Sequence, residues 1–161
     1  MDFSVGEDER QLAEGIRTVV EGRLPLERIR SREGAERVAE PGDWAALGET
    51  GVFALTLPEP VGTGLGLADA TVVFEELGRA LVPGPLVGTF LAATHGLVDG
   101  AAEGRALVGV HWGRSDPVLV EHLASLDALI TLTGPTAHPD ANVLSPAPGA
   151  PVEARIATIA T

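Results

Sequence analysis

The stretch LADATVVFEELGRALVPGPLVGTFLAATHGLV, residues 67–98, decides the fold. In its first half, apolar residues recur at helical spacing, which predicts a helix over 67–81 with one apolar side. That side carries Val73, Phe74, Leu77 and Leu81. After the helix-breaking run 83–85, residues 85–98 are apolar almost all round, which is typical of the central helix of a bundle.

Upstream of this stretch the sequence predicts three more helices. A capping box at Ser4 opens the first, whose apolar repeat continues to about Gly22. Pro25 opens a second helix with a highly charged body over 27–40. A short third helix follows Asp43, whose side chain can cap its N-terminus.

Downstream, β-branched and apolar residues concentrate in short runs separated by turn residues, which predicts strands. These runs cover 106–111, 118–121, 127–133 and 152–161. The expected fold is therefore α+β: an N-terminal all-α helical bundle of about five helices, followed by a small, incomplete antiparallel β-domain. We expect the helical domain to span 1–104 and the β-domain to span 105–161.

Composition excludes several classes of function. The 161 residues carry a formal net charge of −12, which argues against nucleic-acid binding. Without cysteine there is no disulfide, thiolate metal site or thiol nucleophile. Residues 80–98 are uncharged, but the break at 83–85 leaves a run too short to span a bilayer. Because the N-terminus is acidic and unlike a signal peptide, we expect a soluble cytoplasmic protein with no membrane partner.

The glycine-rich loop at 62–66 resembles a dinucleotide-binding loop, but its spacing differs. It reads G-x-G-x-G instead of G-x-G-x-x-G, and prolines precede it where a strand should end. We interpret it as a tight turn into a helix. The histidines are not paired at metal-ligand spacing, so no metal site is predicted. They are His95, which we interpret as a core histidine, and His111, His122 and His138.

Basic residues cluster beside and within the second predicted helix. They are Arg23, Arg28, Arg30, Arg32 and Arg37. Glutamates interleave with them, which is typical of a solvated, salt-bridged helix face. The alternative is an anchor for an anionic group such as a phosphate. Glu75 and Glu76 are expected to be one exposed and one buried carboxylate, and the sequence contains no catalytic constellation.

His111 and Trp112 are the candidates for a cofactor-binding position. They lie at the end of the predicted strand 106–111, and side chains at strand ends often face ligands. The alternative is that both residues have a purely structural role in the β-domain.

Four motifs, in order, resemble the start of an acyl-CoA dehydrogenase. They are MDFS at 1–4 with Glu7, Glu9 and Arg10, WAALGETGVF at 44–53 ("W..L.E.G..G"), LPEPVGTGLGL at 57–67 ("PEE.GG.GLG") and FEELGRALVPGP at 74–85 ("EELGRA…P"). The last has the style of actinobacterial members. The resemblance covers about residues 1–100, and its specificity comes from the order of the four motifs.

The resemblance implies an N-terminal helical domain, a middle β-domain and a C-terminal helical bundle. It also implies FAD as cofactor, an acyl-CoA substrate oxidised at Cα–Cβ, and an electron-transfer flavoprotein as electron acceptor. The family's "TE…GSD" motif is missing from residues 107–122, and the C-terminal bundle, which usually carries the catalytic glutamate, is expected to lie outside this chain. No catalytic residue of the family can therefore be assigned here.

The leading hypothesis is a part or subunit of an FAD-dependent acyl-CoA dehydrogenase in fatty acid or sterol catabolism. Lacking the base, the isolated chain is expected to be inactive and to form a homo- or hetero-oligomer with a catalytic chain. The shortened β-domain resembles the degenerate subunit of heteromeric members that act on bulky acyl-CoAs. The competing hypothesis is a non-catalytic binding or assembly module derived from this family, without FAD.

Overall fold

The computed structural model describes residues 7–35, 37, 39–112, 119–120, 122–133 and 153–158, the last for their backbone. Its helices are α1 (Glu7–Arg23), α2 (Leu26–Arg30), α3 (Pro41–Gly48), α4 (Leu67–Arg79) and α5 (Leu86–Thr94). Its strands are β1 (Val108–Trp112), β2 (Ala128–Thr133) and β3 (Glu153–Thr158), with a 3₁₀ turn at Leu123–Ser125. Helices followed by a small sheet confirm the predicted α+β class.

The three strands form one mixed sheet in the order β1-β2-β3. β2 and β3 pair antiparallel, as expected. β1 and β2 instead run parallel, with Val108 opposite Ala128 and Trp112 opposite Leu132. The prediction of a purely antiparallel sheet is therefore wrong for this pair. The connection over 113–127 is long enough for parallel pairing, because parallel neighbours need a crossover of about a dozen residues or more.

The second helix is much shorter than predicted. α2 ends at Arg30, and a turn follows in which Gly34 has a φ of +81°, so the chain leaves the helical path well before Glu40. Pro41, which directly follows the predicted helix, is the first residue of α3. The N-cap of α3 is Glu40, and Asp43 lies in its first turn.

Other differences lie at the ends of elements. α5 stops at Thr94 because Gly96, with a φ of +59°, ends the helix, and the amide of Leu97 donates to the carbonyl of Ala92 at 2.8 Å. Residues 119–120 are not a strand. The predicted capping box at Ser4 lies outside the described residues.

The glycine-rich loop is a tight turn into α4, as predicted. A Cβ on Gly62 would lie 2.0 Å from the carbonyl oxygen of Ala54, so only glycine fits there. Gly66 is the N-cap of α4, and its amide donates to Asp69 Oδ2 at 2.9 Å. The loop therefore folds back on the segment before it.

Trp44 lies at the centre of the core with 1% of its surface exposed. Its ring packs on Phe53 at 5.0 Å between centroids, and its Nε1 donates to the carbonyl of Ala106 at 3.3 Å. A Cβ on Gly104 would lie 2.3 Å from the carbonyl oxygen of Trp44. α3 is thereby fixed against the segment that enters β1. None of the helices in the described ranges is long and apolar enough to cross a membrane.

Candidate functional site

The two candidate cofactor residues lie next to each other on β1 and on opposite faces of it, because side chains alternate along a strand. His111 is half-buried and lines a cleft of about 630 Å³. Trp112 is 37% exposed and is not among the described residues that line this cleft. Of the two candidate residues, His111 therefore lines the cleft and Trp112 does not.

The cleft lies between the start of α5 and β1. Residues 84–88 form one wall, residues 109–111 form the other, and Leu119, Val120, His122 and Leu126 complete the lining. Its volume lies in the usual range for small-molecule sites. Its lining combines apolar side chains with two histidines and exposed backbone, which suits a ligand with both apolar and polar parts.

A close approach of α5 to β1 shapes this cleft. A Cβ on Gly88 would lie 2.1 Å from the carbonyl oxygen of Val108, so a glycine is required at that turn of the helix. The neighbouring Thr89 is fully buried, and its Oγ1 accepts a hydrogen bond from the amide of Val108 at 3.1 Å. The strand and the helix are thus held together by backbone contact and one buried side chain.

His111 carries an unusual polar atom. In the described part of the chain its Nε2 is the one buried side-chain nitrogen or oxygen without a hydrogen-bond partner. Leaving such an atom unpaired costs about 1–3 kcal/mol, so most buried polar atoms in proteins are satisfied. The described residues do not supply a partner for this atom.

The arginine cluster is largely neutralised, but not by the interleaved glutamates. Arg28 binds Asp43 at 2.6 Å, and Arg32 binds both Asp43, at 3.3 Å, and Glu40. Arg23 binds Glu49 at 3.3 Å. Arg23, Arg28 and Arg32 are thus salt-bridged, as predicted, but to acids on or next to α3 instead of the interleaved glutamates.

Glu75 and Glu76 divide as predicted into one exposed and one buried carboxylate. Glu76 is 8% exposed and accepts a hydrogen bond from Arg17 Nε at 2.9 Å. This hydrogen bond holds the pKa of Glu76 below its ordinary value, although burial acts in the opposite direction. Glu75 is exposed and binds Arg79 at 2.6 Å. The pair is structural and lies away from the cleft lining.

The other three histidines do not lie together at the cleft. His95 is exposed and caps the C-terminus of α5, so its interpretation as a core histidine is wrong. His122 lines the cleft, and His138 lies outside the described residues. In the described ranges no three histidines or acids are grouped so that they could hold a metal ion.

Sequence reasoning missed Gly88 and Thr89, which position the helix wall of the cleft. A glycine inside an apolar helix was the available signal, because such a residue often marks close approach of another backbone. Thr89 carried no signal of its own, since a threonine in a helix usually bonds to the preceding turn.

A protein-family model confirms the resemblance. Residues 6–103 match the acyl-CoA dehydrogenase N-terminal domain. Because that match covers more than half of the chain, the protein belongs to the acyl-CoA dehydrogenase family.

Two curated relatives carry the same name in different organisms. The chain is 43% identical over 90 residues to acyl-CoA dehydrogenase IpdE2 of Mycolicibacterium smegmatis, covering 55% of this chain and 29% of that protein. It is 35% identical over 116 residues to acyl-CoA dehydrogenase IpdE2 of Mycobacterium tuberculosis, covering 71% of this chain and 36% of that protein. The matches therefore span about a third of these relatives.

Solved structures share the fold at low sequence identity. The ChsE4-ChsE5 complex from Mycobacterium tuberculosis matches with a TM-score of 0.65 at 19% identity, over 83% of this chain and 45% of that one. A variant of the steroid ACAD Tcur3481-Tcur3483 matches with a TM-score of 0.60 at 21% identity, over 81% of this chain and 45% of that one. The FAD complex of PigA matches with a TM-score of 0.66 at 13% identity, over 99% of this chain and 50% of that one. Each of these shows the architecture only.

Proposed function

We propose that this chain is all or part of one subunit of a heteromeric acyl-CoA dehydrogenase that oxidises a steroid-derived or otherwise bulky acyl-CoA. Membership of the family supports the reaction class. The names of the similar proteins support the rest, since one solved neighbour is a steroid ACAD and another is a complex of two different proteins. Electrons would pass to an electron-transfer flavoprotein, in the cytoplasm.

The observation that carries the proposal is the cleft between α5 and β1 with the unpartnered Nε2 of His111. A flavin ring is flat and apolar, with polar atoms on its edge. The lining of the cleft fits such a ring: apolar walls for its faces and one imidazole nitrogen for an edge atom. When bound, FAD supplies the hydride acceptor for oxidation at Cα–Cβ.

The residues of this chain would hold and shield the ring. Leu86, Val87 and Leu126 would exclude water from its faces, and His111 would orient it through one hydrogen bond. The described lining contains no arginine or lysine for a diphosphate. We therefore assign the rest of the cofactor site, and the base that removes the α-proton, to the catalytic chain of the assembly.

The test is to purify the chain with a catalytic partner from the same genome and to record flavin absorbance and acyl-CoA-dependent dye reduction. The native complex should hold flavin and reduce the dye. His111→Leu should lower flavin occupancy, whereas the matched change His95→Leu, at the exposed C-cap of α5 and outside the described lining of the cleft, should not.

Three results separate the possibilities. A complex that binds no flavin contradicts the proposal and supports a non-catalytic assembly module. Flavin retained in full by His111→Leu leaves the reaction class standing but removes this cleft as its site. A catalytic partner that fails to associate with the chain contradicts the heteromeric assembly.

A further inference from the structure

A second concave surface lies between α2, residues 32–35, 37, 39 and 40, α3, and the residues Leu81 and Pro83. This arginine-rimmed hollow has a volume of about 420 Å³, within the range of small-molecule sites. Its lining includes the core residues Leu24, Trp44 and Leu47 and the exposed leucines Leu26 and Leu81. An apolar ligand would therefore find a continuous apolar surface there.

Among the described residues, the rim of the hollow carries one more positive than negative charge. Four arginines and three acids of the described ranges line it, in a chain whose net charge is −12. Arg28 and Arg32 are neutralised by Asp43 and Glu40. Arg30 and Arg37 form no ion pair with any residue of the described part of the chain. Two guanidinium groups are thus left for an anion, beside one acid of the lining, Glu33, which also forms no ion pair within the described residues.

The backbone at Leu81 gives independent support. α4 ends in a turn in which the amide of Val82 donates to the carbonyl of Leu77 and the amide of Leu81 donates to that of Gly78. In this turn Leu81 adopts the left-handed backbone conformation, with a φ of +56°. α5 ends in the same turn, but with Gly96 at the equivalent position.

A leucine at this position is unfavourable for folding in two ways. Left-handed backbone strains a bulky side chain, and 62% of this one is exposed to water. Strain of this kind is found where a side chain serves a ligand. The second non-glycine residue with positive φ in the described ranges, His122, also lines the hollow. Both strained residues therefore face one cavity.

We propose that the arginine-rimmed hollow binds a small amphiphile with an apolar body and a single carboxylate. The apolar body lies against Leu26 and Leu81, next to the buried Trp44, and the carboxylate pairs with Arg30 and Arg37. A guanidinium matches a carboxylate in geometry as well as in charge, which a neutral or cationic head group does not. This site does not rest on the proposed flavin chemistry.

Trp44 provides the measurement. The chain has two tryptophans, so Trp112→Phe leaves Trp44 as the only one. In that background decanoate, kept below its micelle concentration, should change Trp44 fluorescence saturably. Decyltrimethylammonium, with the same chain length and the opposite charge, should bind at least about tenfold more weakly.

Two variants test the two ends of the ligand. Arg30→Gln with Arg37→Gln should weaken decanoate binding about tenfold, since charge-assisted contacts are lost. The control with the same change in net charge is Arg10→Gln with Arg105→Gln, exposed arginines outside the hollow, and it should leave affinity within about twofold. Leu81→Gly should weaken binding at least about threefold while the midpoint of thermal unfolding does not fall.

Several results would overturn the proposal. They are an absence of saturable decanoate binding, equal affinity for the two amphiphiles, or equal loss in the two double-arginine variants. A drop in thermal midpoint for Leu81→Gly would show that the leucine serves folding instead of a ligand. A dimer that Arg30→Gln with Arg37→Gln dissociates, together with no decanoate binding, would assign the hollow to self-association.

Discussion

Arg17 on α1 donates a hydrogen bond from its Nε to Oε2 of Glu76 on α4, at 2.9 Å. The carboxylate is almost fully buried and the guanidinium is half exposed, so water reaches one partner only. The contact joins α1 to α4 through two residues that are 59 positions apart in the sequence. Because Arg79 also approaches Glu76, at 3.7 Å, the buried charge lies between two cations.

Glu76→Gln should destabilise the fold. The amide can still accept a hydrogen bond from Arg17, but the charge assistance is lost, for a cost of about 1 kcal/mol in the free energy of unfolding. Urea titration measures this change. The control is Glu75→Gln, an exposed carboxylate on the same helix, which should cost less than about 0.5 kcal/mol. Equal effects of the two changes would contradict a special role for the buried contact.

The contribution of Glu76 should also depend on pH in one direction. Its pKa in the folded chain lies below the ordinary value of 4.5, first because of the hydrogen bond from Arg17. A lowered carboxyl pKa adds stability above the pKa of the unfolded chain, and this stability is lost as pH falls through the folded pKa. Thermal unfolding of native chain and Glu76→Gln should therefore converge on acidification below 4.5. A difference in thermal midpoint between the two proteins that grows at lower pH would contradict this prediction.

Trp44→Phe should cost about 2 kcal/mol of unfolding free energy. The substitution removes the hydrogen bond to Ala106 and leaves a space in a site where the ring is 1% exposed. Trp112→Phe is the matched change at a position 37% exposed, and it should cost less than about 0.5 kcal/mol. Far-ultraviolet circular dichroism during urea unfolding follows both variants without relying on tryptophan emission.

Gly88→Ala and Gly78→Ala should change stability in opposite directions. At Gly88 the new Cβ would lie 2.1 Å from the carbonyl oxygen of Val108, so α5 must move away from β1 and about 2 kcal/mol or more is lost. At Gly78, on α4, the new Cβ has no atom within 4 Å, and alanine's better helix propensity should add about 0.5–1 kcal/mol. Differential scanning calorimetry of the two variants measures both changes in stability. A tolerated Gly88→Ala would contradict the close contact of helix and strand.

His111→Leu should leave the ligand-free chain as stable as the native one, or more stable by up to about 1 kcal/mol. The reason is that its Nε2 is buried without a partner, and leucine removes that unpaired atom. The measurement is urea unfolding in the absence of flavin. A clear loss of stability would mean that the imidazole is satisfied in the folded chain, and the cleft would then lose its main polar group.

Local patterns predicted the helices around residues 67–98 well. The apolar spacing of Val73 and Leu77 and the glycine-rich turn before α4 are short-range features, and such features act alike in any tertiary setting. α2 was predicted too long because charged residues after Arg30 suit a helix equally well, whereas Gly34 turns the chain away. Propensity alone does not decide between those outcomes.

Features that depend on contacts between distant parts of the chain were harder to predict from the sequence. The parallel pairing of β1 and β2 depends on the path of a connection, and the alternation of side chains is the same for either direction of pairing. The partners of Arg28 and Arg32 lie on or beside α3, beyond the reach of i,i+4 reasoning. His111 was a candidate from its place at a strand end, but its unpaired nitrogen is visible only once α5 is packed against β1.

The hydrogen bond from the Val108 amide to Thr89 bears on how the chain behaves in a crowded solution. Among the described strands, β1 is an outer one of its sheet, and outer strands offer free amides to which strands of other molecules can add. Thr89 occupies such an amide from the side, and the close approach of Gly88 covers the neighbouring carbonyl. The start of β1 is thereby protected from polymerisation by a helix, without a charged or proline residue in the strand.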